Sequence, residues 1–211
     1  MVFQAIIFDL DGVICFTDEY HYQAWKRLAD ELGVPFDRQK NNRLRGVSRM
    51  ASLEIVLEDY TEPLAEAEKL ALADQKNETY KTLLAQMSPS DLPEDVRTTL
   101  LALRERGLKL AIGSSSKNTP FILQQIGLAD FFDAVSDGNN ITKSKPDPEV
   151  FLKAAQMLDV APECCLVVED AVAGAEAAHR GNMRAACVGD AAKAAAGDYN
   201  LSSITELLSI I

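Results

Sequence analysis

Asp9 and Asp11 stand two residues apart at the end of the apolar run Ile6-Ile7-Phe8, and Gly12 follows them at once. On an extended chain, side chains at i and i+2 lie on one face. Two acids set together there repel each other and gain nothing from packing, so a shared cation or proton must sustain them. Taken alone, Asp-x-Asp-Gly is also an ordinary exit from a strand into a turn. Three more polar groups accompany apolar runs later in the chain. Ser114 heads Ser114-Ser115-Ser116-Lys117-Asn118, whose hydroxyls and backbone N–H groups at a helix start would cradle a phosphate or cap the helix. Lys145 lies in Ser144-Lys145-Pro146-Asp147-Pro148, where prolines stiffen the backbone around a cation. Glu169 and Asp170 close the run Cys165-Leu166-Val167-Val168; adjacent acids there also serve as helix caps.

Brought together, these groups would do phosphoryl chemistry. Asp9, Glu169 and Asp170 are hard oxygen donors suited to Mg²⁺, which keeps waters and shares a phosphate oxygen. Ser114 and Lys145 would stabilise the remaining phosphoryl oxygens electrostatically.

The elements that must position them follow from the hydrophobic pattern. Five apolar or β-branched runs, at 4–9, 108–114, 134–136, 165–169 and 184–188, are predicted as buried strands. Helical spacing separates them: Val96, Leu100 and Leu103 before Gly107, a helix opening at Thr119-Pro120, and another from Asp147-Pro148 through Val150, Phe151, Ala154 and Leu158. Strands alternating with helices predict an α/β fold with a doubly wound parallel sheet, whose strand ends converge on one crevice. The stretch 16–87 breaks the alternation. It holds a stripe of Trp25, Leu28, Ala29 and Leu32 ending at Gly33, a second of Met50, Leu53 and Leu57 after a Ser48 cap, and a third after Pro63 through Leu72, Tyr80 and Leu84. An insertion of about 70 residues is far longer than a strand-to-helix loop. A helical cap domain at 16–87 is therefore expected, set into an α/β core formed by 1–15 and 88–211. The Ala-rich stretch 190–197 is expected to be a surface turn or short helix.

The 211 residues suffice for one good core and a smaller unit. A net charge of -11 argues against nucleic acid or an anionic membrane as partner, so an anionic substrate must meet a local basic cluster. Cys15, Cys164, Cys165 and Cys187 show no C-x-x-C spacing, and Cys165 and Cys187 are expected to be buried reduced thiols. No basic-then-apolar leader and no apolar run of about 18 residues is seen, so a cytoplasmic protein is expected.

The four motifs together resemble those of the haloacid dehalogenase superfamily of phosphotransferases, over essentially the whole chain. The resemblance implies a Rossmann-like core in which Asp9 is the nucleophile, forming an aspartyl-phosphate, and Asp11 is the general acid/base. It also implies Mg²⁺ held by Asp9, the backbone carbonyl of Asp11, and Asp170, with Glu169 nearby. The chemistry agrees: Asp9 must stay ionised to attack phosphorus, while Asp11 must carry a proton.

Glu19-Tyr20-His21-Tyr22-Gln23-Ala24-Trp25 and Arg45-Gly46-Val47-Ser48-Arg49 in turn resemble cap segments of the superfamily's hexose-phosphate mutases. By that resemblance Arg49, Ser116, Lys117 and Asn118 hold the non-reacting phosphate. His21, with Lys76 beside it, positions Asp11 and a sugar hydroxyl, and Thr17 sits under Asp11. Trp25, Arg45, Gly46, Val47, Ser52 and Ser115 complete the substrate-binding set, with Arg45 standing where lysine is usual. By themselves, His21 and Trp25 read as core residues on one stripe, and Arg45, Arg49 and Lys76 as solvated charges. The implied reaction interconverts β-glucose 1-phosphate and glucose 6-phosphate through a 1,6-bisphosphate, in a monomer whose partners are small sugar phosphates. The rival is a sugar-phosphate or phosphoglycolate phosphatase delivering the same phosphoryl group to water. A receiver-type signalling module would run to about 120 residues without a helical insertion, unlike this chain.

Overall fold

The computed structural model describes residues 3–45 and 47–211. The apolar runs form the strands expected of them: β1 (Ala5–Phe8), β2 (Lys109–Gly113), β3 (Ala134–Ser136), β4 (Cys165–Glu169) and β5 (Arg184–Cys187). A sixth, β6 (Tyr199–Asn200), extends the sheet beyond β5 and was not expected. Two residues at a sheet edge, one of them an asparagine, carry no hydrophobic pattern to detect.

The strands run in the order β3-β2-β1-β4-β5-β6, and every pairing is parallel. The chain winds outward from β1 to β3, returns beside β1 as β4, and winds outward again. In such a sheet the crevice opens where the winding reverses, between β1 and β4. The register shows which residues emerge there. Phe8 pairs with Ile112 on one side and Val168 on the other, so Asp9 leaves the sheet between Gly113 and Glu169.

Among the described residues, four α-helices belong to the inserted segment: α1 (Asp18–Leu32), α2 (Arg38–Asn42), α3 (Arg49–Val56) and α4 (Glu66–Leu84). Six accompany the sheet: α5 (Glu94–Glu105), α6 (Thr119–Gln125), α7 (Glu149–Leu158), α8 (Val172–Arg180), α9 (Gly189–Lys193) and α10 (Leu207–Ile210). Their ends have local causes. Gly33 stops α1 by taking φ 69°, and the Ser48 hydroxyl caps α3 by accepting the Ala51 N–H at 3.2 Å. The Asp147 carboxylate accepts the Glu149 N–H at 3.1 Å, so α7 begins just past Pro148. Thr119 lies inside α6 rather than capping it; its hydroxyl donates to the Ser116 carbonyl at 2.9 Å. The Ala-rich stretch supplies α9, as a short helix.

Helices α7 and α8 cover one face of the sheet, where Val150, Phe151 and Ala154 pack with Ala175 against Ile7 and Val167. Fully burying an aliphatic or aromatic side chain of this size stabilises by roughly 1.5–3 kcal/mol. The chain divides into two compact units, one holding the described residues through Phe16 together with Ser88–Ile211, the other Thr17–Met87. Phe16 thus goes with the sheet rather than with the helical segment. The helical unit has a core of its own, including Trp25, Leu28, Phe36, Leu53 and Val56. All four cysteines are free thiols, and burial pushes Cys165 up to about 11 and Cys187 to about 12. Among the described residues, no helix is long and apolar enough to cross a membrane.

Candidate active site

At the reversal of the sheet, Asp9, Lys145 and Glu169 form a buried group. The Lys145 ammonium donates to Asp9 Oδ1 and to Glu169 Oε1, the latter at 2.5 Å, and its side chain is only 2% exposed. The Phe151 ring lies 4.7 Å from Nζ and adds a cation–π contact. That ring can sit there because Gly113 ends β2: a Cβ on Gly113 would come within 2.6 Å of it. Burial works against the charge on Lys145, but Asp9 and Glu169 outweigh it, raising its pKa and keeping the ammonium protonated. For Asp9 the balance falls the other way. Burial, followed by the charges of Glu169, Asp170 and Asp11, pushes its carboxyl well above the usual range despite the pull of Lys145. One ammonium does not neutralise four carboxylates.

A divalent cation would correct that balance, and the donors suit Mg²⁺. Gly12, at φ 92°, turns the chain immediately after Asp11, and a Cβ there would lie 2.3 Å from Asp170 Oδ2. The Asp170 carboxylate is therefore pressed against the Asp11–Gly12 turn, with Asp9 one residue before it. Among the described residues no three His, Cys, Asp or Glu side chains form a ready-made metal cluster. Mg²⁺ needs none, since one or two carboxylates with waters and a substrate phosphate complete its octahedron. Asp9, Asp170 and the Asp11 carbonyl fit that requirement. Glu169 fits it less well, because its oxygens are engaged by Lys145 and, at 2.7 Å, by the Ala171 N–H. It serves as the partner of Lys145.

Ser114 follows β2 directly, its N–H donating to the Ser136 carbonyl at 3.0 Å. Its hydroxyl accepts the Ser116 N–H at 3.1 Å, and the Ser116 hydroxyl accepts the Asn118 N–H at 3.2 Å. Two of the amides expected to greet a phosphate are thus taken by the loop's own hydroxyls, and α6 is too short to act as an anion site by itself. The loop instead presents side chains. The Ser114 hydroxyl, accepting from Ser116, keeps its own proton to donate. Ser115 Oγ is buried with no hydrogen-bond partner among the described residues, and Lys117 is exposed. Asn139 braces the loop from behind, donating to the Lys117 carbonyl at 3.0 Å.

The helical unit contains a second polar group. Lys76 Nζ lies 3.0 Å from His21 Nδ1 and over the rings of Trp25 and Tyr80, at 4.7 and 4.4 Å. Tyr80 stacks on the imidazole at 4.0 Å, and its hydroxyl donates to Thr17 Oγ1 at 3.0 Å. Burial, then the charges of Lys76 and Arg49, holds His21 well below its ordinary pKa, so the ring is neutral. An ammonium can only donate, which makes Nδ1 the acceptor and leaves the ring proton on Nε2. Arg49 is paired with Asp74 at 3.4 Å, and Arg45 with Asp18. Ser52 is buried on α3 and Val47 is half-buried, while Gly46 lies outside the described residues.

The profile of the haloacid dehalogenase-like hydrolases matches residues 3–182, which takes in both units. The chain belongs to this family. It is 43% identical over 192 residues to the β-phosphoglucomutase of Bacillus subtilis, covering 88% of this chain and 83% of that one. It is 30% identical over 178 residues to a phosphorylated carbohydrates phosphatase of Thermotoga maritima, covering 83% and 80%. The crystal structure of a β-phosphoglucomutase from Clostridium difficile superposes with a TM-score of 0.92 at 35% identity, over 98% of this chain and 93% of the other.

In this haloacid dehalogenase-like hydrolase the structure brings Asp9, Lys145 and Glu169 into contact, with Asp170 against the adjoining turn. It assembles Thr17, His21, Trp25 and Lys76 separately, within the helical unit. Lys76 is buried at 3% exposure, not the solvated charge its type suggests, and Trp25 is a core residue as well as a ring under Lys76. Three supporting residues escaped the sequence: Phe151, Gly113 and, as a polar partner, Tyr80. Only Tyr80 left a signal, standing one helical turn after Lys76.

Proposed function

We propose that this enzyme interconverts β-D-glucose 1-phosphate and D-glucose 6-phosphate, as an Mg²⁺-dependent phosphomutase of the isomerase class, through an aspartyl-phosphate and a β-glucose 1,6-bisphosphate. The observation that carries the choice of acceptor is the 43% identity, over 88% of the chain, to a β-phosphoglucomutase. The buried Asp9–Lys145–Glu169 group supports the phosphoryl step that any such acceptor requires.

Asp9 attacks phosphorus, and the bond from phosphorus to the sugar oxygen breaks. Asp11 gives that oxygen a proton, then takes one from the next hydroxyl when the phosphoryl group moves on. Phospho-Asp9 passes its group to the 6-hydroxyl of β-glucose 1-phosphate; the bisphosphate turns round; Asp9 takes the phosphoryl group from C1, leaving glucose 6-phosphate. Lys145, fixed by Glu169, and the Ser114 hydroxyl meet the phosphoryl oxygens as charge develops. Mg²⁺, when bound by Asp9, Asp170 and the Asp11 carbonyl, shields the charge between nucleophile and phosphate.

In the helical unit, His21 donates from Nε2 to the sugar-hydroxyl and Asp11 system, and Thr17 supports the same group. Arg49, with Ser116, Lys117 and Asn118, binds the phosphate that does not react, and Arg45, Val47, Ser52 and Ser115 shape the sugar site. Arginine forks suit such a phosphate. In this reading the helical unit, 17–87, recognises the substrate and the sheet unit carries out the phosphoryl transfer. The net charge of -11 disfavours nucleic acid and anionic membranes, so the small anionic substrate must be drawn in by these local cations; the enzyme is read as a cytoplasmic monomer.

A phosphatase reading is favoured by one observation, the likeness to the Thermotoga phosphatase, in which water is the acceptor. Incubation with Mg²⁺, β-glucose 1-phosphate and a trace of the 1,6-bisphosphate separates the two. Glucose 6-phosphate without inorganic phosphate is expected, and stoichiometric phosphate release would select the phosphatase.

A further inference from the structure

We propose that Gly174 is a positioning residue of the phosphoryl-transfer site, the absent side chain at 174 making the room in which the Glu169 carboxylate reaches Lys145. The inference rests on the reading of Asp9 as the group that takes up phosphate. A Cβ at 174 would lie 1.9 Å from Glu169 Oε1, 2.0 Å from Cδ and 2.6 Å from Cγ, and these are its three nearest atoms. Oε1 is the oxygen that accepts from Lys145 at 2.5 Å. The other oxygen accepts the Ala171 N–H at 2.7 Å, and Glu169 is 1% exposed, so the carboxylate cannot swing aside without giving up one of these bonds.

Nothing in the backbone asks for glycine here. Gly174 is the third residue of α8 and is absent from the positive-φ residues, and glycine inside a helix is less favourable than alanine. Its neighbours Ala173, Ala175, Ala177 and Ala178 carry the methyl group that 174 lacks. What distinguishes position 174 is the glutamate above it. A methyl group there drives Oε1 off Lys145, leaving the ammonium held by Asp9 alone and no longer aimed by two fixed acceptors.

Two measurements test this. Nitrogen-15 NMR of the metal-free protein observes the Lys145 ammonium, whose protons are protected by its two bonds. The signal is expected in the wild type and is expected to shift or broaden away in Gly174→Ala; an unchanged signal overturns the proposal. The second reads the rate at which a small acyl phosphate with Mg²⁺ phosphorylates Asp9, in a double-mutant cycle. Gly174→Ala is expected to slow uptake by about tenfold, the scale of one misplaced charge-assisted bond. The same change in a Glu169→Ala background is expected to cost nothing more, because the clash is gone. Wild-type rates in Gly174→Ala, or equal losses in both backgrounds, overturn the proposal. A Gly174→Ala chain that fails to fold while the double variant folds locates the conflict at Glu169 and supports it; failure of both overturns it. If the wild type takes up no phosphoryl group, the functional reading fails, and the NMR comparison still decides the role of Gly174.

Discussion

Lys145 and Asp9, 136 residues apart in the chain, are joined by a buried hydrogen bond that ties the segment before α7 to the end of β1. With Glu169 as second acceptor, Lys145 is a structural cation and, in the proposed cycle, the group that meets the incoming phosphate. Removing it leaves two buried carboxylates without their partner. In metal-free urea unfolding near neutral pH, Lys145→Ala is expected to lose roughly 3 kcal/mol of stability. Lys145→Arg is not expected to recover activity, because a planar fork cannot replace a point charge between two acceptors. A stability equal to wild type would show that the pair contributes nothing net.

Asp9→Asn keeps the size of the side chain and removes its nucleophilicity. Exposed to a small acyl phosphate and Mg²⁺, the wild type is expected to gain the mass of one phosphoryl group in intact-protein mass spectrometry, and the variant none. A variant that is still labelled would place the acceptor elsewhere.

The parts of the site that sequence shows best are those whose neighbours are apolar. Asp9, Glu169 and Asp170 stand out because buried strands end in them, and the same runs define five of six strands. Ser114 was legible as the end of a strand, but not as a hydroxyl already bonded to the Ser116 N–H. Lys145 follows no hydrophobic period; the sequence placed it at the converging strand ends but left its bond to Asp9 unread. Gly113 and Gly174 were silent because what matters is the space beside them, which depends on Phe151 and Glu169 arriving from elsewhere in the chain. The polar two-residue β6 and the five-residue α2 were missed because neither is long enough to show a period.

His21 gives a pH signature. Burial, then Lys76 on α4 and Arg49 on α3, lowers its proton affinity in the fold, and the stacked Tyr80 completes its surroundings. On acidification the unfolded chain takes up this proton first. The contribution of His21 is therefore full above the unfolded value, near 6.5, and is lost as pH falls below it. The stability of wild type relative to His21→Gln is expected to decline between about pH 7.5 and 5.5 in urea titrations. Parallel curves would mean that His21 titrates alike in both states.

Arg49 sets the acceptor if it holds the second phosphate. Arg49→Ala is expected to reduce turnover of the bisphosphate by about a hundredfold, the scale of a lost charged contact, while hydrolysis of a small phosphate monoester falls much less. Equal losses on both substrates would remove Arg49 from recognition of that phosphate.

In the proposed cycle the phosphoryl group on Asp9 goes to a sugar and not to water. Protein carrying labelled phosphate on Asp9 should be chased with β-glucose 1-phosphate and the label followed through time. The label is expected to leave Asp9 faster with sugar present, to enter the 1,6-bisphosphate, and to end at C6 of glucose 6-phosphate. Label released as inorganic phosphate, at a rate unaffected by the sugar, would contradict the mutase and make this enzyme a phosphatase.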